Sequence, residues 1–110
     1  MYLDELVIEK NHKRSTDGVQ FRLNGCVNAN TYHKLEGAIF DAFDKGRYNV
    51  ELHLGGVQYI TSAGAGVLIN ARCEATKNHG EVVLVSASSH VHEVLDLLGL
   101  AELFPIDRTR

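Results

Sequence analysis

Two hydroxyl side chains, Thr61 and Ser62, stand where a strand-like segment gives way to a helix-like one. Residues 57–60 before them are mostly β-branched or aromatic, which is typical of the end of a strand. Residues 63–66 after them, Ala-Gly-Ala-Gly, carry almost no side chain. A hydroxyl at the start of a helix lies near the positive end of the helix dipole, where a phosphate is stabilised. A simple N-cap, with no further role, is the alternative for both residues.

Other chemistries of a serine or a histidine find less support. Around Ser62 the flanking residues are Ile60 and Gly64, so the Gly-x-Ser-x-Gly pattern of hydrolases fails at its first glycine. His90 and His92 are two residues apart and would point in different directions on a helix, which makes a poor metal pair. No nucleotide-binding glycine motif is present. The sequence therefore predicts no enzyme, no metal site and no cofactor, and a small Ser62-dependent hydrolase remains only as a minor alternative.

Composition limits the number of domains, the kinds of partner and the cellular location that the sequence predicts. Its 110 residues predict one domain, and a net charge of -3 without a basic cluster argues against nucleic acid. The apolar runs are too short to span a membrane, and Asp4 and Glu5 interrupt any signal-peptide pattern. Cys26 and Cys73, the two cysteines, are expected to be reduced, small packing residues. A cytoplasmic location follows as an expectation.

The first part of the chain predicts an antiparallel hairpin. Residues 3–8 are rich in apolar side chains and predict a first strand, and residues 10–18 have the polar composition of a turn. Val19, Phe21 and Leu23 then alternate with polar residues, as in a strand with one buried face. Residues 25–30 are expected to form the next connection, in which Asn30 or Thr31 caps a helix.

Helix and strand patterns alternate through the rest of the chain. The apolar stripes of three helices fall at Leu35, Ile39, Ala42 and Phe43, at Gly64, Leu68, Ala71 and Ala75, and at Val91, Val94, Leu95 and Leu98. Strands are predicted at residues 50–54 and 82–85, and residues 100–106 are expected to pack back on the core. Alternating strands and helices imply parallel pairing. The fold class is therefore α/β: one domain over residues 1–110, core about 3–106, with a mixed four- to five-stranded sheet, an N-terminal antiparallel hairpin and about three to four helices.

Five segments together resemble a known family. They are Leu23-Asn24-Gly25, Val50–Leu54, Tyr59–Leu68, Val82–Val85 and Val94–Leu100. The chain resembles the STAS domain family, and within it the bacterial anti-sigma-factor antagonists. The resemblance extends over nearly the whole length and implies the same mixed sheet packed with helices.

The resemblance also implies a function. The family motif is Asp-Ser-Ser/Ala-Gly, and its phosphorylated serine aligns with Ser62. In that family the unphosphorylated domain binds an anti-sigma-factor serine kinase of the histidine-kinase-like ATPase fold, which frees a sigma factor. Phosphorylation by the kinase dissociates the complex, and a phosphoserine phosphatase resets it. By resemblance the chain is a phospho-regulated switch, a monomer or weak homodimer that binds neither nucleic acid nor membrane. Its partner-binding residues would be Asn28, Thr61, Ser62, Ala63, Gly64 and Ala65.

Two positions depart from the family pattern. Thr61 stands where the motif has its aspartate, and Asn28 stands where many members carry a second acidic residue after the second strand. The site has thereby lost two carboxylates. An alternative function follows: a STAS interaction or sensing module that is not phosphorylated, and that binds a small ligand or assembles with other STAS proteins.

Overall fold

A computed structural model describes residues 5–12, 18–104 and 106–107 of the chain. Three parts of the chain lie outside the described residues: residues 3 and 4 of the predicted first strand, residues 13–17 of the predicted turn, and residues 108–110. The elements, in order, are β1 (Leu6–His12), β2 (Val19–Val27), α1 (Tyr32–Asp44), β3 (Asn49–Ile60), α2 (Ser62–Lys77), β4 (Glu81–Val85), α3 (Ser89–Leu97), a 3-10 helix (Ala101–Leu103) and β5 (Ile106–Asp107).

The five strands form one mixed sheet in the order β1-β2-β3-β4-β5. β1 pairs with β2 in antiparallel fashion, and every later pair is parallel. The predicted mixed sheet with an N-terminal hairpin is therefore confirmed. Because β2 and β3 are parallel, their C-terminal ends lie at the same edge of the sheet.

The helices cover the apolar side chains of the sheet. α1 and α2 pack against each other, α1 contacts β2, α2 contacts β3 and β4, and α3 contacts β3. The predicted stripes of α1 and α2 are buried in full: Leu35, Ile39, Ala42 and Phe43, and Gly64, Leu68, Ala71 and Ala75. In β2 the alternating Val19, Phe21 and Leu23 are buried as well. Periodicity alone was sufficient for these positions because each element has a single buried face.

Both strands of the hairpin are longer than predicted. β1 continues to His12, into the segment expected to be a turn, and β2 continues to Val27, into the expected connection. Gly25 adopts a φ of +120°, and a Cβ atom there would overlap the carbonyl oxygen of Glu5. The amide of Cys26 donates to that same carbonyl at 2.9 Å. Glycine usually interrupts a strand, but here Gly25 is the residue that allows β2 to continue beside β1.

β3 contains two bulges relative to β2. Arg22 and Asn24 lie opposite His53 and Gly56, and Gly25 and Cys26 lie opposite Val57 and Tyr59, so β3 has one extra residue at each step. Such bulges increase the local twist and redirect the strand. Pairing resumes at Tyr59 and Ile60, which brings the end of β3 beside the end of β2.

The C-terminal segment only partly follows the prediction. Leu100 and Phe104 are buried, but Leu98 forms the C-cap of α3 and is 44% exposed, and Leu103 is 38% exposed. Leu100, Leu103 and Phe104 were all expected on the core. The prediction is confirmed for Leu100 and Phe104, one on each side of the 3-10 helix, and is wrong for Leu103. The described residues do not extend to the side chain of Ile106.

The two cysteines differ in environment, and both thiols are free. Cys26 is buried, as expected of a packing residue, whereas Cys73 is exposed. The expectation for Cys73 was wrong because it lies two residues from both Ala71 and Ala75. Two residues on a helix are about 200° apart, so Cys73 faces away from the stripe that those alanines bury.

Candidate functional site

The start of α2 is joined to the end of β2 by hydrogen bonds from Thr61. Its amide donates to the carbonyl of Val27 at 2.9 Å, and its hydroxyl approaches the same carbonyl at 3.4 Å. Thr61 has an extended backbone and is the N-cap residue, and its carbonyl accepts the first intrahelical bond from Ala65 at 2.9 Å. The helix therefore begins at a fixed distance from β2.

Ser62 is the first residue of α2, and its side chain is exposed. Thr61 takes the N-cap position, as one of the two candidates from the sequence, but its side chain makes no capping hydrogen bond. Within the described part of the chain, no hydrogen bond holds the Ser62 hydroxyl. The amides of residues 62–64 precede the first intrahelical bond and have no acceptor within the helix. With no acidic residue in the first turn, the accessible hydroxyl lies at an electropositive end.

The predicted partner-binding residues divide into a surface and a layer beneath it. Asn28, Thr61 and Ala63 are partly exposed and Ser62 is exposed, whereas Gly64 and Ala65 are buried. A Cβ atom at position 64 would lie 2.6 Å from Cγ1 of Val27, closer than real atoms approach. The glycine is therefore required for the helix to pack on β2. Gly64 and Ala65 therefore contribute to the surface indirectly, because they position the exposed residues of the layer above them.

The turn between β2 and α1 is held by a compact hydrogen-bond network. The Asn28 side-chain oxygen accepts from the amides of Asn30 at 2.9 Å and Thr31 at 3.2 Å. The buried Thr31 hydroxyl donates to the carbonyl of Cys26 at 2.8 Å and accepts from the amide of Asn28 at 3.0 Å. Thr31 is the N-cap residue of α1, as one of the two expectations had it, but its side chain fixes the turn rather than the helix.

Asn28 and Ser62 belong to the same edge of the sheet. Asn28 directly follows Val27, Ser62 directly follows Thr61, and the bonds between Val27 and Thr61 join the two segments. An asparagine side-chain oxygen accepts hydrogen bonds as a carboxylate does, but without the charge. Asn28 thus accepts the hydrogen bonds that hold the turn, but it lacks the negative charge of the acidic residue that many family members carry at this position. Together with Thr61, this gives a site built from uncharged polar groups.

An aromatic pair that was not predicted from the sequence lies close to this edge. Tyr59 is 46% exposed, and its ring stacks on that of His90 with centroids 5.1 Å apart and planes 18° apart. The first turn of α3 is fixed there by Ser88, whose hydroxyl donates to the carbonyl of Val57 at 3.3 Å and accepts from the amide of Val91 at 3.3 Å. No local sequence pattern predicts this stack, because it depends on how α3 packs against β3.

A second missed interaction lies on the sheet, away from Ser62. Nε2 of His53 lies 2.9 Å from Oε1 of Glu51, which also accepts from Nε2 of Gln20 at 2.8 Å. Residues two apart on a strand share a face, so the spacing of Glu51 and His53 was the available signal.

The described residues contain neither a candidate metal site nor a candidate membrane-spanning helix. Across residues 5–12, 18–104 and 106–107, no group of three or more histidine, cysteine, aspartate or glutamate side chains is placed to hold a metal ion. In the same residues no helix has the length and apolar character needed to cross a membrane. The edge of the sheet around Ser62 stays the candidate site that the sequence predicts.

The sequence pattern of the STAS domain matches residues 8–110. The chain belongs to the STAS domain family. It is 35% identical over 88 residues to BtrV of Bordetella bronchiseptica, named as an anti-sigma factor antagonist, covering 80% of this chain and 76% of that protein. A crystal structure of an anti-sigma factor antagonist from Thermotoga maritima has a TM-score of 0.82 at 29% identity, covering 90% of this chain and 86% of that one.

The same fold is seen in a more distant protein. The Bacillus cell fate determinant SpoIIAA, solved in its phosphorylated form, has a TM-score of 0.70 at 18% identity, covering 91% of this STAS domain and 90% of that chain. At this identity the likeness concerns the fold. The predicted family and fold class are both confirmed by these comparisons.

Proposed function

We propose that this STAS domain is an anti-sigma-factor antagonist: a binding module, not an enzyme, that sequesters an anti-sigma-factor serine kinase and so frees a sigma factor. The observation that carries the proposal is the exposed Ser62 at the first position of α2, on a chain 35% identical to an anti-sigma factor antagonist. Transcription control of this kind places the protein in the bacterial cytoplasm.

In the proposed unphosphorylated state, the kinase binds the surface of Asn28, Thr61, Ser62 and Ala63. These side chains are small and uncharged, so a partner can approach the backbone closely without desolvating a charge. The buried Gly64 keeps the helix seated on β2 and holds Ser62 in place. The proposal thus assigns recognition to shape and to uncharged polar groups.

Phosphorylation of Ser62 would reverse the binding. A phosphate adds roughly -1.5 to -2 charges at pH 7. The domain tolerates that charge because the amides of residues 62–64 lie at the positive end of α2. The interface does not, because a surface shaped for a hydroxyl would have to cover a bulky, hydrated anion. A phosphoserine phosphatase would then restore binding.

The uncharged site has a consequence for the phosphoryl transfer. Carboxylates are the usual protein ligands of magnesium, and neither Thr61 nor Asn28 supplies one. In this proposal the kinase therefore holds the donor nucleotide and its metal with its own residues. Ser62 contributes only the accepting hydroxyl.

Mass spectrometry and calorimetry together test the proposal. The protein is purified from its own host, and its intact mass is measured before and after phosphatase treatment. Unmodified and Ser62-phosphorylated forms are then titrated against the histidine-kinase-like ATPases of the same host. One phosphate on Ser62, with binding only by the unmodified form, is the expected result. Equal binding by both forms would contradict the switch.

The absence of the two carboxylates favours a second candidate, a STAS interaction or sensing module that is never phosphorylated. Thr61 and Asn28 are the observations behind it. The same experiment separates the two candidates. Tight binding of a partner by a protein that carries no phosphate in its host, and that the kinase does not modify, would select the second.

A further inference from the structure

Three leucines at the C-terminal end of α3 and in the following 3-10 helix are exposed. Leu97 is 81% exposed, Leu98 44% and Leu103 38%, and α3 contacts the 3-10 helix directly. We call Leu97, Leu98 and Leu103 the leucine patch. Single exposed leucines are ordinary, but three within seven residues, on two elements in contact, concentrate exposed apolar area at this end of α3.

The helix geometry explains why Leu97 faces outward. Leu95 is fully buried, and a residue two positions later lies about 200° further around a helix. Glu93, four residues before Leu97, lies on the same outward face and is exposed. Asp96, beside Leu97, is exposed as well. The outer side of α3 thus presents a leucine between two carboxylates.

The surroundings of the leucine patch are acidic. α3 and the 3-10 helix contain Glu93, Asp96 and Glu102 and no lysine or arginine, although the whole chain has a net charge of only -3. Glu102, next to Leu103, is exposed. Among the described residues, Arg72 of α2 reaches this surface, because its Nε donates to the carbonyl of Leu103 at 2.7 Å. One guanidinium therefore stands against the three exposed carboxylates of α3 and the 3-10 helix. The negative charge around the leucine patch repels nucleic acid and anionic lipid surfaces and attracts basic segments.

We propose that the leucine patch binds a cationic amphipathic helix of a partner protein. The apolar face of that helix covers Leu97, Leu98 and Leu103, and its lysine or arginine side chains meet Glu93, Asp96 and Glu102. Helices that lay an apolar face on a hydrophobic surface are a common mode of peptide recognition. Charge complementarity selects a basic occupant over an acidic one.

This surface is separate from the one around Ser62. The first turn of α3 lies beside Tyr59 and Val57, near the end of β3, and the leucine patch lies at the far end of that helix. Nine helical residues span about 13 Å. Binding at the leucine patch therefore does not rest on the proposed function and is expected to be unaffected by a phosphate on Ser62.

The test is a titration of isotope-labelled protein with a synthetic amphipathic helical peptide of leucine and lysine, followed by amide NMR shifts. Shifts confined to the second half of α3 and the 3-10 helix are expected. The double variant Leu97→Ser, Leu98→Ser should bind about tenfold more weakly or worse. Asp96→Asn should also weaken binding and reduce its sensitivity to salt. Shifts that map elsewhere, or equal affinity in the double variant, would overturn the proposal.

Matched controls separate the proposed occupant from others. Val7→Ser removes an exposed apolar side chain, 53% exposed, from β1 and should leave peptide affinity unchanged. A peptide with glutamate in place of lysine should not bind. Binding of anionic lipid vesicles by the wild type, or a dimer in sedimentation that the double leucine variant abolishes, would identify a different occupant and refute the proposal.

Discussion

A Cβ atom placed on Gly64 would lie 2.6 Å from Cγ1 of Val27, so the first turn of α2 rests directly on the end of β2. Val27 also accepts the hydrogen bonds of Thr61, and Asn28 follows it in the chain. One residue of β2 therefore sets where α2 begins and where the turn before α1 lies. Ser62 and Asn28 are positioned by the same contact.

Gly64→Ala should lower the free energy of unfolding by about 1–3 kcal/mol, because the methyl group overlaps Val27 and Ile60 and forces α2 away from β2. Gly66→Ala is the matched control: a Cβ atom there meets nothing within 4 Å. It should raise stability by about 0.5–1 kcal/mol, since alanine favours a helix interior over glycine. Urea denaturation of both variants measures the difference. Equal effects would show that α2 is not seated on Val27.

Thr31→Val should cost about 1–3 kcal/mol of stability, because it leaves the carbonyl of Cys26 and the amide of Asn28 without their buried partner. The side chain is 1% exposed, so water cannot replace the hydroxyl. Thr76→Val, at an exposed position of α2, should change stability by no more than about 0.5 kcal/mol. Thermal unfolding measures the stability of the two variants. A Thr31→Val protein as stable as wild type would refute the role of this hydrogen-bond network.

Leu95→Ala should destabilise the domain by about 2–5 kcal/mol, because Leu95 lies fully buried on the inner face of α3 and its truncation leaves a cavity. Leu97→Ala, two residues away and 81% exposed, should fall within about 0.5 kcal/mol of wild type. Chemical denaturation distinguishes them. A loss below about 1 kcal/mol at Leu95 would place this face of α3 outside the core.

Ser62→Asp should bind the cognate kinase at least about tenfold more weakly than wild type, a difference of about 1.4 kcal/mol. The carboxylate is tolerated by the domain at the start of α2, so its unfolding temperature should stay near that of wild type. Ser62→Ala should bind about as well as wild type and resist phosphorylation. Calorimetric titration of the three proteins measures the affinities. If Ser62→Asp and Ser62→Ala bound equally, the charge would not be what dissociates the complex.

The element order up to α3 and the buried faces of β2, α1 and α2 were determined by the sequence itself. Alternation placed Val19, Phe21 and Leu23 inward, and helical spacing placed Leu35 and Ile39 on the core. These properties follow from periods of two and 3.6 residues, which need only neighbouring residues to be recognised. The position of Ser62 at the start of a helix was predicted for the same reason, from a strand pattern followed by Ala-Gly-Ala-Gly.

Which residues form the site surface was decided only by the tertiary structure. The bond between Thr61 and Val27 joins residues 34 apart in the chain, and it is this contact that buries Gly64 and leaves Ser62 exposed. The two bulges of β3 and the stack of Tyr59 on His90 likewise depend on neighbours distant in sequence. A residue's local pattern fixes the element it belongs to. Its accessibility and partners depend on which other elements pack against it, and for Ser62 that was set by β2.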